Sequence, residues 1–169
     1  MSTVHSFPPL TAPHVHVLIL GSMPGRASLQ ANQYYAHPRN AFWPIVERLF
    51  HLESGLGYEE RCALLVQQGV AVWDVLMSCT RESSLDSDID AASIVPNDFS
   101  GFFAAHPAIG GICFNGAMAQ QVFDRHVAPR LPSKVADLPR LRLPSTSPAN
   151  AAYSFERKLE CWRVIRDIH

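Results

Sequence analysis

The stretch Val15-His16-Val17-Leu18-Ile19-Leu20-Gly21-Ser22-Met23-Pro24-Gly25 decides the fold class: a short, β-branched apolar run stops abruptly in a turn rich in glycine and proline. An apolar run of this length bounded by turn residues reads as a buried strand, here residues 15–20, emptying into a loop. The same signature returns downstream. Residues 70–75 (VAVWDV) read as a second buried strand, 111–114 (GICF) as a third and 141–143 as a fourth. Helical patterns lie between them. Residues 40–50 place Phe42, Ile45, Val46, Leu49 and Phe50 on one face, and Pro44 is tolerable only if that helix starts near Asn40, which would be its N-cap. Residues 58–68 read as a helix closed by Gly69, residues 117–125 as another, and 153–168 as a closing amphipathic helix. Strands alternating with helices at this spacing predict an α/β fold, a mainly parallel sheet with helices on both faces. Ligands of such folds bind at the carboxyl ends of the strands. The chemistry is therefore to be sought in GSMPG (21–25), WDVL (73–76), FNG (114–116) and LPSTSPAN (143–150).

Composition narrows the setting. A chain of 169 residues that is 47% hydrophobic and 17% charged builds one domain, residues 1–169, with a substantial core. No apolar run approaches the roughly 20 residues that cross a bilayer, and no basic segment followed by an apolar stretch opens the chain; a cytoplasmic protein is expected. Cys62, Cys79, Cys113 and Cys161 are widely spaced, with no CxxC pair, and read as reduced structural thiols rather than metal or iron–sulfur ligands. A net charge of −1 exerts no global pull on nucleic acid, so any DNA binding comes from local patches. The proline-rich segment 128–148 is one: it carries Arg130, Lys134, Arg140 and Arg142 against a single acid, Asp137.

GSMPG after the first strand, the aromatic pair Tyr34-Tyr35, the long motif QYYAHPRNAFW (33–43) and the PSTSP loop (144–148) together resemble the uracil-DNA glycosylase superfamily. Within it, the sequence is most similar to the hypoxanthine-DNA glycosylases. The resemblance covers most of the chain and rests on the combination, QYYAHPRNAFW being its specific part. It implies a three-layer α/β/α sandwich around a four-stranded sheet. It also implies a base flipped out of single- or double-stranded DNA, and hydrolysis with neither metal, cofactor nor covalent enzyme intermediate. A monomer is expected.

The resemblance assigns roles that the residues can bear physically. Flipping a base costs a few kcal/mol, which the pocket must recover by stacking and edge hydrogen bonds. Tyr35, twelve residues beyond Met23, is the stacking candidate, although an aromatic pair also serves simply to cover a loop. Gly21, Ser22, Met23, Pro24 and Gly25 would line the base with backbone groups, the glycines allowing close approach. Asp74 stands where uracil-binding relatives often carry a base-reading asparagine; a carboxylate there accepts the N1–H of hypoxanthine, or else caps or pairs structurally. Many superfamily members carry the water-positioning acid or amide inside the first motif, where this chain has Met23. In the hypoxanthine-type family that role falls to the asparagine of HPRN, Asn40 here, whose amide can orient water toward the sugar C1′. His37, Arg39, Ser145, Thr146 and Ser147 are the expected DNA contacts. Leu143 stands where classical uracil enzymes have a histidine, a departure from strict uracil specificity. A uracil or mismatch-type glycosylase, and a catalytically silent DNA- or nucleotide-binding module, are the alternatives.

Overall fold

The computed structural model describes residues 2–169. Its strands are Ser2–His5 (β1), Val17–Gly21 (β2), Val70–Asp74 (β3), Leu76–Arg81 (β4), Val95–Pro96 (β5), Gly111–Asn115 (β6) and Arg140–Leu143 (β7). Its helices are Arg26–Ala31 (α1), Phe42–Phe50 (α2), Tyr58–Gln67 (α3), Phe99–Ala105 (α4), Ala117–His126 (α5), Ser133–Ala136 (α6) and Phe155–Trp162 (α7).

The central sheet has the order β3-β2-β6-β7 and is parallel throughout. Because side chains alternate across a strand, β2, β3 and β6 each feed two cores, while β7 buries only Leu143. Leu18, Leu20, Ala71, Trp73, Ile112 and Phe114 face one side, where α4 and α5 contribute Phe99, Phe102, Phe103, Val122 and Phe123. Val17, Ile19, Val70, Val72 and Cys113 face the other, against Phe42, Ile45, Val46 and Leu49 of α2, Leu65 of α3 and Trp162 of α7. The result is the expected three-layer α/β/α sandwich. All four strands end at the same edge, where the loops that leave them meet.

Several elements differ from the sequence reading. A second, antiparallel sheet of order β1-β4-β5 was not foreseen, because β4 follows β3 with only Val75 between them and no turn signal separates it from the strand read over 70–75. Helices α1 and α4 were also missed, being only six and seven residues long. The closing helix breaks after Trp162 into a 3₁₀ turn, Arg163–Asp167. Helix α2 starts at Phe42 with Ala41 as N-cap, so Asn40 lies one residue outside the position expected. Its side chain still serves the helix end, since Asn40 Oδ1 accepts the Phe42 N–H at 2.9 Å. Gly69, with φ +87°, closes α3 as glycine's freedom at positive φ predicts. Cys62, Cys79 and Cys113 are buried and Cys161 is exposed. Among the described residues no helix is long and apolar enough to cross a membrane.

Candidate active site

Strands β2 and β3 run in register, with Gly21 opposite Asp74, so the GSMPG turn and the end of β3 arrive together. The Gly21 and Ser22 carbonyls accept the N–H groups of Val75 and Leu76, at 2.8 and 3.2 Å. Packing above Gly21 leaves no room for a side chain. A Cβ there would sit 2.6 Å from Asp74 Oδ1 and 3.0 Å from the Tyr35 hydroxyl, which places those two polar groups over the same backbone atom. Tyr35 is held with φ +55°, a left-handed conformation that costs a non-glycine residue about 1 kcal/mol or more. Its ring stacks on Phe42, centroids 4.1 Å apart and planes 23° apart, so the helix that begins at HPRNAFW anchors the aromatic residue.

The polar side of this cluster is dry. Asp74 is 3% exposed, and burial first, then the charge of Asp86, push its carboxyl up to about 7, against the opposing pull of Arg81. Burial raises Asp86 as well, and raises both tyrosine hydroxyls beyond their ordinary range. Four buried side-chain polar atoms among the described residues lack a hydrogen-bond partner, and three are here: the Tyr35 hydroxyl, Asp74 Oδ2 and Arg81 Nη1. An unpartnered buried polar atom costs about 1–3 kcal/mol, so three together mark a site kept for something other than stability. Beneath the turn, Ser22 Oγ donates to Asp86 Oδ1 at 2.6 Å and Arg81 Nη2 donates to the Pro24 carbonyl at 2.5 Å.

A brace joins the other two loops. Asn115, at the end of β6, accepts the Thr146 N–H through Oδ1 and donates from Nδ2 to Thr146 Oγ1, both at 2.9 Å. The Thr146 carbonyl in turn accepts the Ala41 N–H at 2.9 Å, tying the PSTSP loop to the residue beside Asn40. Thr146 was expected to touch DNA, and here the structure differs: at 1% exposed it faces inward, its hydroxyl spent on Asn115. Ser145 and Ser147 are half-buried, and their hydroxyls accept N–H groups of their own loop, from Ser147 and Ala149. His37 is half-buried, accepting the Arg39 N–H at Nδ1 and, at its carbonyl, the Asn40 N–H. Arg39 is exposed.

The structure thus brings Gly21, Ser22, Pro24, Tyr35 and Asp74 together at the end of β2, and joins Asn40 to the 144–148 loop through Ala41 and Thr146. The Met23 side chain turns away from them, 7% exposed and packed into the core, and leaves only its backbone on the turn. In the basic 128–148 strip, Arg142 donates to Gln120 and Arg140 pairs with Asp124 at 3.8 Å, so two of its four cations lie against α5. Sequence reasoning missed Arg81, Asp86 and the bracing role of Asn115. The Asn-Gly step after the third strand was a visible signal for Asn115, whereas Arg81 and Asp86 belong to the unforeseen second sheet and its loop. Open surface depressions lie elsewhere, one lined by His16, His51 and His169 and another by Met77, Phe99 and Leu131. The strand-end cluster is closely packed.

The uracil DNA glycosylase superfamily model matches residues 8–167, the whole sandwich with all four loops. The chain belongs to the uracil DNA glycosylase superfamily. It is 35% identical over 162 residues to a hypoxanthine DNA glycosylase of Methanosarcina acetivorans, covering 95% of this chain and 96% of that protein. It is 33% identical over 111 residues to the hypoxanthine DNA glycosylase of Methanosarcina barkeri, covering 65% and 69%. A solution NMR structure from Methanosarcina acetivorans, described as a candidate uracil DNA glycosylase, superposes with TM-score 0.80 at 31% identity over 98% of this chain and 97% of that one.

Proposed function

We propose that this superfamily member is a monofunctional, monomeric DNA glycosylase of the cytoplasm, one domain over residues 1–169, that excises a deaminated base, with hypoxanthine its preferred target. The observation that carries the reading is the set of buried polar atoms without partners around the GSMPG turn. A flipped base supplies the partner that Asp74 lacks. Hypoxanthine offers an N1–H donor for the Asp74 carboxylate and a carbonyl acceptor for the backbone N–H groups of the non-proline residues of the GSMPG turn, while Tyr35 stacks on the ring and recovers part of the flipping cost. Asn40 orients the attacking water toward C1′, where the developing oxocarbenium character needs placement more than a strong base. Burial of Met23 in the core and the engagement of the Ser22 hydroxyl by Asp86 support this division, since no side chain of the first motif is then left to hold water. His37, Arg39, Ser145 and Ser147 meet the DNA backbone, and Thr146 acts from behind through Asn115 and Ala41. No lysine in these loops offers a Schiff base, so the product is an intact abasic site.

A second reading, a catalytically silent DNA-binding module, draws on the hydrogen bond that already engages Asn40 Oδ1. One experiment separates them and also tests a uracil or mismatch-type alternative. Oligonucleotides carrying a single hypoxanthine, uracil, xanthine or oxanine, each single- and double-stranded, are incubated with the protein and cleaved at abasic sites with alkali. The proposal expects hypoxanthine to be excised fastest. A protein that binds every oligonucleotide and cuts none is the silent module, and uracil excised fastest replaces the hypoxanthine assignment.

A further inference from the structure

Two charged residues, Arg81 buried and Asp86 half-buried, adjoin the base-reading groups with no part yet in the reaction. Arg81, at the end of β4, is 5% exposed; its guanidinium gives one donor to the Pro24 carbonyl and leaves Nη1 without a partner. Asp86, in the 3₁₀ turn Asp86–Asp88, accepts the Ser22 hydroxyl. Each therefore grips the GSMPG turn at a different residue and on a different kind of group. The charges of both also act on Asp74, that of Asp86 disfavouring its ionised form and that of Arg81 favouring it. Around Asp74 the remaining titratable groups are Tyr34 and Tyr35, which stay neutral, while Asn97 Nδ2 donates to the Asp74 carbonyl from the loop before α4. Among the described residues, Arg81 and Asp86 are the charges that bear on Asp74.

We propose that Arg81 and Asp86 are positioning residues of the site: they hold the GSMPG turn from beneath and set, with opposite signs, the charge that Asp74 presents to the flipped base. The inference rests on the reading of Asp74 as the base-reading group. If an ionised Asp74 accepts the hypoxanthine N1–H, excision falls as pH drops through the Asp74 titration. Removing the Asp86 charge then makes Asp74 easier to ionise, and removing the Arg81 charge makes it harder. A purely structural role gives no reason for two variants to move a pH profile in opposite directions.

The test is single-turnover excision of hypoxanthine from a duplex oligonucleotide between pH 5 and pH 9. Asp86→Asn keeps an oxygen for the Ser22 hydroxyl, and its acid limb moves to lower pH by about 0.5 or more. The limb of Arg81→Gln moves to higher pH by a similar amount, and that of Arg81→Lys, which keeps the charge, stays near the wild-type position. Circular dichroism checks that each variant is folded; if Arg81→Gln is not, Asp86→Asn decides alone. Asp74→Asn is the control that tells the limb apart from histidine titration. If Asp74→Asn abolishes the limb while Asp86→Asn leaves it unmoved, or if both charge-removing variants shift it the same way, the positioning role is overturned. If Asp74→Asn leaves the limb in place, Asp74 is not the base-reading group and the inference falls with it.

Discussion

Asp74 should weaken the protein that it serves, and Asp74→Asn measures by how much. Its folded-state carboxyl titrates at about 7 against an ordinary value of 3.8, and each pKa unit corresponds to about 1.36 kcal/mol. The folded form holds its proton longer than the unfolded chain, so the associated stability is fully present below pH 3.8 and is lost as pH rises toward 7. By pH 8 the loss is about 4 kcal/mol, of which roughly 3 kcal/mol accrues above pH 5. Asparagine has the same shape but no titration, and its one new cost is a buried NH2 that must find a partner, about 1–3 kcal/mol independent of pH. Urea denaturation of both proteins at pH 5, 6, 7 and 8 isolates the contribution, because every other side chain is common to the two. The wild type should lose on the order of 3 kcal/mol relative to Asp74→Asn between pH 5 and pH 8, while the variant, whose amide oxygen still accepts the hypoxanthine N1–H, keeps a slower excision without the acid limb. A difference that changes by less than about 0.5 kcal/mol across that window, or that favours the wild type as pH rises, refutes the idea that Asp74 is a buried acid ionised at a cost.

Gly21→Ala drives a methyl group to within 2.6 Å of Asp74 Oδ1, where neither Asp74 nor the stacked Tyr35 can step aside; about 1–3 kcal/mol of stability should be lost, with excision reduced further than the folded fraction accounts for. Asn115→Ala strands the Thr146 N–H and hydroxyl, so chemical denaturation should register a loss of about 2–4 kcal/mol, and a loss under about 0.5 kcal/mol would show that the brace is dispensable. Excision should persist in EDTA and after alkylation of exposed Cys161, because neither metal nor thiol enters the proposed chemistry; inactivation of the still-folded protein by either reagent would contradict that.

The parallel sheet was legible because β2, β3 and β6 are buried on both faces and so appear as mainly apolar runs, VHVLIL, VAVWDV and GICF. Most of the residues that meet at the strand ends sit in the loops immediately C-terminal to those runs, which is where an α/β sheet places its ligand. The features that the sequence concealed were local. Strand β4 carries the polar Ser78, Thr80 and Arg81 and continues from β3 without a turn signal, so the second sheet, and with it Arg81 and Asp86, had no periodicity to announce it. Thr146 was misplaced for a different reason: a hydroxyl in a serine–proline loop suggests solvent, and only the fold brings Asn115 against it. The shift of the α2 cap from Asn40 to Ala41 is a one-residue difference that leaves the Asn40 oxygen on the same helix end.

The central claim, that Asn40 positions the hydrolytic water, is tested most directly by the single-turnover excision rate of Asn40→Ala on hypoxanthine-containing duplex at a temperature where the variant is folded. Asn40 Oδ1 already accepts the Phe42 N–H, so some stability, about 1 or 2 kcal/mol, should be lost whatever its role in catalysis. The account predicts a fall in rate of about 100-fold or more with lesion binding retained. A folded Asn40→Ala that cuts at near the wild-type rate would reduce Asn40 to a helix-end residue and contradict the mechanism.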